Sequence, residues 1–539
     1  MTTRNFENII KSYKKGVCKV TCQNIPVDVN LPFESGADEP VCGTGWFCHH
    51  RYLYLENPNP KNFYLISNAH VIEAAASRTV SIQFPYLGTS KIYGKVIKVC
   101  HALDFAIIEL EDNEFNRHLK REVGKDFYEI MRDVPMMKPN EKVINTEQTA
   151  TQDVIALGYP LDSDDAHLSH GKVSGKHEYY LQLNQSISSG NSGGPLFNNR
   201  GQVIGICAAD FDDSEGITLA IPWSGVAKLL MDYQKEDTFV IYPPRLGFVT
   251  ERLIEAYAIT VLKNNGLHGA LVKQVFDVES GKYNGRNLKK GDVVLSIGDN
   301  HKEYEIDSHG LVTVDTQCDK IPFHTLNFLL LLDPGTTYIN FYSKGKEYMF
   351  QFALQSHEEK MVNYVMPALE TVDSCIVAGM VFTNFTKNHL DEIDDGIDST
   401  IINFLTSTNG GKKAVVCTAA KTPSSLQHQG YYIKKLSVLE KVNKKKIPNI
   451  ATMKVEVAKL VKAYITKPST KTRFFRLCFQ NDYTVIVDLQ LASLMEPLLW
   501  FSKGFPKHLS LTNALVGEQV VEVAKEVSSG RSNKKRKIK

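Results

Sequence analysis

The stretch Ser189-Gly190-Asn191-Ser192-Gly193-Gly194-Pro195-Leu196 decides how this chain is read. Glycines around Ser192 permit the positive φ angles of a tight turn. They also let the backbone N–H groups of Gly190 and Ser192 point at one spot, an oxyanion hole. A serine hydroxyl is a weak nucleophile at neutral pH and needs an imidazole to take its proton. The imidazole in turn needs a carboxylate on its other nitrogen. Both groups stand upstream: His70 in Ser67-Asn68-Ala69-His70-Val71-Ile72, and Asp104 at the head of Leu103-Asp104-Phe105-Ala106-Ile107-Ile108. Alone, each has an ordinary structural reading, a packed core histidine and a solvated strand end. In the order His, Asp, Ser within one β-rich segment they form a candidate catalytic triad of His70, Asp104 and Ser192.

Working outward, residues up to about 240 are short β-rich runs split by Gly, Pro, Asn and Asp, such as Phe63–Ser67, Val80–Phe84, Val154–Gly158 and Val203–Cys207. Many short strands with regular turn signals predict an all-β barrel or sandwich. A helical run from Trp223 to Tyr233 closes the segment, and Tyr242-Pro243-Pro244-Arg245 reads as a linker, because paired prolines continue neither a helix nor a central strand. An α+β unit is expected over 245–355, with a helix at Phe323–Leu332, and a second mixed module over 360–510 with a strand at Val377–Phe382. Residues 511–539 are expected as a basic tail without a core.

These motifs resemble the HtrA/Deg family of trypsin-like serine proteases with C-terminal PDZ domains. Cys42-Gly43-Thr44-Gly45-Trp46-Phe47 resembles the family's strand before the histidine, and Leu157-Gly158-Tyr159-Pro160-Leu161 with Gly171-Lys172-Val173-Ser174 resembles the approach to the activation loop. The resemblance implies a mainly β fold: a trypsin-like double β-barrel protease domain over 1–240, then PDZ-like α+β domains at 245–355 and 360–510. It implies an ATP-independent serine endopeptidase acting through an acyl-enzyme, with His70, Asp104 and Ser192 as triad and Ile187 at the base of the substrate pocket. Arg245-Leu246-Gly247-Phe248 resembles a carboxylate-binding loop, so Leu246, Gly247 and Phe248 are expected to hold a peptide C-terminus. In the second module Gly379-Met380-Val381-Phe382 stands where that loop would be, and Lys434–Lys459 reads as an insertion. A trimer or a multiple of trimers is the implied assembly.

The balance of 62 Lys plus Arg against 60 Asp plus Glu in 539 residues gives no global field toward nucleic acid or an anionic membrane. No run approaches the ~18 apolar residues of a spanning helix. Ten scattered Cys fit free thiols in a reducing compartment and lack zinc-ligand spacing. The acidic clusters Asp162-Ser163-Asp164-Asp165 and Asp210-Phe211-Asp212-Asp213 lack calcium-loop spacing, so neither metal nor organic cofactor is expected. The start lacks a secretory apolar core, and Lys534-Lys535-Arg536-Lys537 fits a nuclear localisation signal, so the expected location is nuclear or cytoplasmic. The alternative of another class is a catalytically silent PDZ scaffold or chaperone.

Overall fold

The computed structural model describes residues 3–22, 28–33, 40–73, 75, 78–140, 152–177, 179–185, 188–210, 218–234, 238–275, 287–314, 320–325, 329–354, 365–366, 369–370, 372–391, 414–420, 433, 435–480, 483–503 and 505–515. The chain is mainly β and divides into two compact units: residues 1–24 with 38–358, and 25–37 with 359–539.

The first unit opens with two closed six-stranded barrels. Strands β1 (Val17–Cys22), β2 (Val41–Cys48), β3 (Phe63–Ser67), β4 (Thr79–Gln83), β5 (Lys91–Cys100) and β6 (Phe105–Leu110) close in the order β1-β2-β3-β6-β5-β4. Strands β7 (Asp153–Gly158), β8 (His167–His177), β9 (Tyr180–Leu183), β10 (Pro195–Asn198), β11 (Val203–Asp210) and β12 (Thr218–Pro222) close as β10-β11-β12-β9-β8-β7. Closure leaves neither barrel a free edge, and it buries strands on both faces. This explains Phe105-Ala106-Ile107-Ile108, where four successive side chains are buried although a half-exposed strand would alternate. After Pro222 the helix Trp223–Tyr233 buries Trp223, Val226, Ala227, Leu229, Leu230 and Tyr233, the stripe its helical spacing predicts. Trp223 meets Trp46 of β2 edge-on, with ring centroids 5.5 Å apart. Each such buried side chain contributes on the order of 2 kcal/mol.

The same unit continues with a sheet of β13 (Phe248–Arg252), β14 (Ala270–Val275), β15 (Val293–Gly298), β16 (Glu303–Glu305), β19 (Tyr338–Ser343) and β20 (Lys346–Gln351), beside a small ribbon of β17 (Leu311–Thr313) and β18 (Lys320–Pro322). The order is β13-β14-β15-β19-β20, with β16 on β15. Among the described strands β13 pairs only with β14, so its outer edge is open. Part of the helix expected at Phe323–Leu332, residues 326–328, lies outside the described residues.

The second unit has the strands β21 (Ser374–Val377), β22 (Met380–Asn384), β23 (Val415–Ala420), β24 (Ser437–Val442), β25 (Lys445–Lys446), β26 (Phe474–Phe479) and β27 (Thr484–Asp488), ordered β21-β22-β23-β24-β26-β27 with β25 on β24. The single strand expected at Val377–Phe382 is instead a hairpin. Ala378 (φ 49) and Gly379 (φ 78) form its two-residue turn, the left-handed pair that suits the twist of a tight hairpin. Within Lys434–Lys459 lie β24 and the first part of the helix Ile450–Thr466, whose Ile450, Met453, Val457 and Val461 are buried, so the segment packs into the unit. Residues 28–33, which precede β2 in the chain, also belong to this unit. The Asn30 carbonyl accepts from Thr418 Oγ1 at 2.6 Å, and Leu31 is buried with Ile376, Val381, Leu499, Trp500 and Phe505.

Candidate functional site

His70 sits in the short helix Ala69–Ile72 that follows β3, and Asp104 sits in the turn between β5 and β6. The carboxylate grips the histidine twice: His70 N–H donates to Oδ1 at 3.0 Å, and Nδ1 lies 2.8 Å from Oδ2. Two contacts fix the ring as well as pairing it, leaving Nε2 as the outward nitrogen. Asp104 reaches this position with φ 46, a left-handed conformation that Asp tolerates better than most side chains. Its N–H donates to the His101 carbonyl at 3.1 Å, and its own carbonyl accepts from Asn68 Nδ2 at 2.6 Å. Asn68 is fully buried. It ties the start of the histidine helix to the Asp104 turn, a role that nothing in its local motif signals.

Ser192 and its glycines turn between β9 and β10. Gly190 (φ 95) and Gly193 (φ 89) are both left-handed. A methyl group on Gly193 would lie 2.2 Å from the Thr44 carbonyl and 3.0 Å from Asn68 N, so the loop presses directly on the start of the histidine helix. Ser192 is 7% exposed, and among the described residues its Oγ makes no hydrogen bond. The N–H groups of Gly190 and Ser192 likewise donate to no acceptor among the described residues. The Ser189, Gly190 and Ser192 carbonyls are engaged. Leu161 N–H donates to the Ser189 carbonyl at 2.7 Å, Thr44 Oγ1 to the Gly190 carbonyl at 2.7 Å, and Thr44 N–H to the Ser192 carbonyl at 2.8 Å. Nothing local in the motifs that carry Thr44 and Leu161 signals these bonds.

Burial opposes the charged form of His70, but Asp104, by hydrogen bond and by charge, outweighs it and holds the imidazole above its ordinary 6.5. His101, half-buried at the start of the turn, is pushed down to about 4 by desolvation and stays neutral. Since a general base must be unprotonated, turnover is expected to rise with pH through a midpoint above 6.5. The linked stability has the opposite slope: the pair's contribution is complete below 6.5 and is lost as pH rises through the raised value. Thus Asp104→Asn should lower the thermal midpoint more at about pH 5 than at about pH 9, read by calorimetry.

Ile187 and Phe211–Asp213 lie outside the described residues, as does the Lys534–Lys537 tail. In the other acidic cluster Asp165 pairs with Lys14 at 2.6 Å. Among the described residues no helix is long and apolar enough to cross a membrane. Leu246 and Phe248 are buried, with Phe248 stacked on Phe323 at 6.4 Å, and Gly247 has φ 72 at the entrance to β13.

Two closed barrels with a His–Asp pair and a glycine-framed serine between their strands are the frame of a trypsin-like peptidase domain, and residues 43–206 match the family model described as Trypsin-like peptidase domain. The chain is similar to curated HtrA/Deg-type serine proteases. It is 25% identical over 304 residues to Protease Do-like 2, chloroplastic, of Arabidopsis thaliana, covering 54% of this chain and 43% of the relative. It is 34% identical over 160 residues to a probable periplasmic serine endoprotease, DegP-like, of Rickettsia prowazekii, covering 27% and 30%. The chain thus spans less than half the length of these curated relatives. Among solved structures it is similar to the HtrA-type protease AlgW with decapeptide, at TM-score 0.42 and 17% identity over 65% of this chain and 98% of that one.

Proposed function

We propose that this chain is an ATP-independent serine endopeptidase in which His70, Asp104 and Ser192 act as a triad. The supporting observation is the double contact of Asp104 on His70 beside a loop whose Gly190 and Ser192 N–H groups donate to no acceptor among the described residues. Ser192 Oγ attacks the peptide carbonyl while His70 Nε2 takes its proton. The carbonyl oxygen becomes an oxyanion and receives the two N–H groups. Collapse expels the amine, protonated by His70, and leaves an acyl-enzyme that water cleaves by the reverse sequence. From the family resemblance we also propose that Ile187 sets a preference for a small or medium aliphatic residue before the scissile bond. The substrates are unfolded or damaged proteins, and the assembly is a trimer or a multiple of trimers. Among the described residues nine cysteines are buried or half-buried and joined in no disulfide, which supports a reducing, nuclear or cytoplasmic location.

The test is labelling by a fluorophosphonate, which reports an activated serine. Label on the native chain that is absent from Ser192→Ala supports the reading. A folded native chain that takes no label in any condition supports the silent scaffold instead.

We further propose PDZ-like domains at 245–355 and 360–510 with unequal roles. In the first, the open edge of β13 adds a peptide strand and the Gly247 loop takes its terminal carboxylate. In the second, β22-β23-β24-β26-β27 repeats the first sheet's run of β13-β14-β15-β19-β20, but β22 already has β21 on its outer side. Its edge is filled by the chain itself. Peptides with a free C-terminus should therefore bind at one site per chain. Amidating the terminus should weaken binding at least about tenfold, measured by fluorescence anisotropy, since the charge-assisted contacts are lost. Equal affinity for both forms would overturn the assignment.

A further inference from the structure

The glycines that allow Ser192 its turn also leave the oxyanion loop free to rotate. Gly190, at φ 95 with no Cβ, has little intrinsic barrier against turning its peptide groups over. In a planar trans peptide the C=O and N–H point in opposite directions, so fixing a carbonyl aims the N–H on the same peptide the other way. Three successive peptides matter. The Ser189–Gly190 peptide is held through the Ser189 carbonyl by Leu161 N–H at 2.7 Å. The Asn191–Ser192 peptide is held through the Asn191 carbonyl by Gly194 N–H at 3.0 Å. Between them, the Gly190–Asn191 peptide sets the angle at which the two donors converge. Its N–H reaches the Ser188 carbonyl at a long 3.2 Å, and among the described residues its carbonyl alone of the three peptides receives a side-chain hydrogen bond, from Thr44 Oγ1 at 2.7 Å.

Thr44 is built for that contact. It is fully buried in β2, and its hydroxyl also accepts from Tyr159 N–H at 3.0 Å. Its own N–H donates to the Ser192 carbonyl, and its carbonyl accepts from Ser67 Oγ at 2.8 Å. One residue of the first barrel therefore ties the nucleophile loop, the β7 exit and the end of β3 together.

We propose that Thr44 is a positioning residue for the reaction, its hydroxyl fixing the Gly190–Asn191 peptide so that the Gly190 and Ser192 N–H groups converge on the developing oxyanion. The proposal rests on the serine endopeptidase reading above. Thr44 touches neither substrate nor reacting atoms; it acts through the loop.

The test compares Thr44→Val, which keeps the β-branched shape and removes the hydroxyl, with Thr44→Ser, which restores it. Losing an oxyanion donor outright costs about 100- to 1,000-fold in kcat. Misaligning donors that remain should cost about 10- to 100-fold in kcat on a peptide substrate, with KM unchanged. A peptide aldehyde, which forms a tetrahedral adduct with the serine, should lose affinity by the same factor, whereas the matching unreactive peptide should not. Thr44→Ser should recover most of both losses. If Thr44→Val is recovered unfolded, Thr44→Cys, whose thiol is a poor donor of similar size, is read in the same assays. Wild-type kcat and aldehyde affinity in a folded hydroxyl-free variant would overturn the proposal, and so would a loss confined to KM. If the wild-type chain shows no turnover that Ser192→Ala abolishes, it is the endopeptidase reading that fails.

Discussion

Ser192→Ala is expected to lower kcat on a peptide substrate by roughly 10⁶-fold, which is the scale seen when a triad nucleophile is removed. The figure is large because the remaining members cannot act without it. His70 would have no hydroxyl to deprotonate, and Asp104 would orient a base with no task. KM should change little, since the alanine leaves the loop bonds through the Ser189, Gly190 and Ser192 carbonyls in place. Casein cleavage by the two proteins, prepared in parallel, reads the loss. Equal cleavage would expose a contaminant or a different nucleophile.

The second large effect concerns Asp104. Both of its oxygens serve His70, one on the backbone N–H and one on Nδ1. Asparagine keeps the shape but replaces one acceptor with an N–H₂ donor, which favours the imidazole tautomer carrying its proton on Nε2. That nitrogen can then no longer take the serine proton. A fall of about 10⁴ in kcat is expected. The acid limb of the pH profile should also move down, because the group holding His70 above 6.5 is gone. A drop of less than tenfold would remove Asp104 from the machinery.

The residues of these two experiments were legible in the sequence because their chemistry dictates short motifs. A nucleophile that must turn tightly writes glycines around itself, and a base and its carboxylate sit at strand ends where β-rich text breaks. The two barrels were legible as many short strands, although the alternative of a sandwich stayed open. Thr44, Asn68 and Leu161 were not, because they act through backbone atoms more than 25 positions away. Thr44 and Gly190 are 146 residues apart, and Asn68 and Asp104 are 36 apart. Nothing in a local window marks such a bond. The second unit misled for another reason. The lysines of Lys434–Lys459 look like a solvated insertion, yet they alternate with the buried Val438, Leu439, Val442 and Ile450 that face the unit's core. Similarly, Val377–Phe382 is apolar throughout, so only the left-handed Ala378-Gly379 pair betrays the hairpin within it.

Residues 28–33 carry a consequence for how this protein is made. They leave the ribosome before almost all of the first barrel, yet their partners come last: Asn30 waits 388 positions for Thr418, and Leu31 and Phe33 wait longer for Trp500 and Phe505. Domains of a nascent chain ordinarily mature in the order they are synthesised. Here the first barrel can close while this stretch is still held in reserve, with its apolar side chains uncovered throughout translation of the intervening sequence. A truncation after residue 358 would perpetuate that unfinished state, leaving Leu31 and Phe33 as an adhesive patch. Shortened versions prepared for study are better drawn with residues 25–37 altered as well.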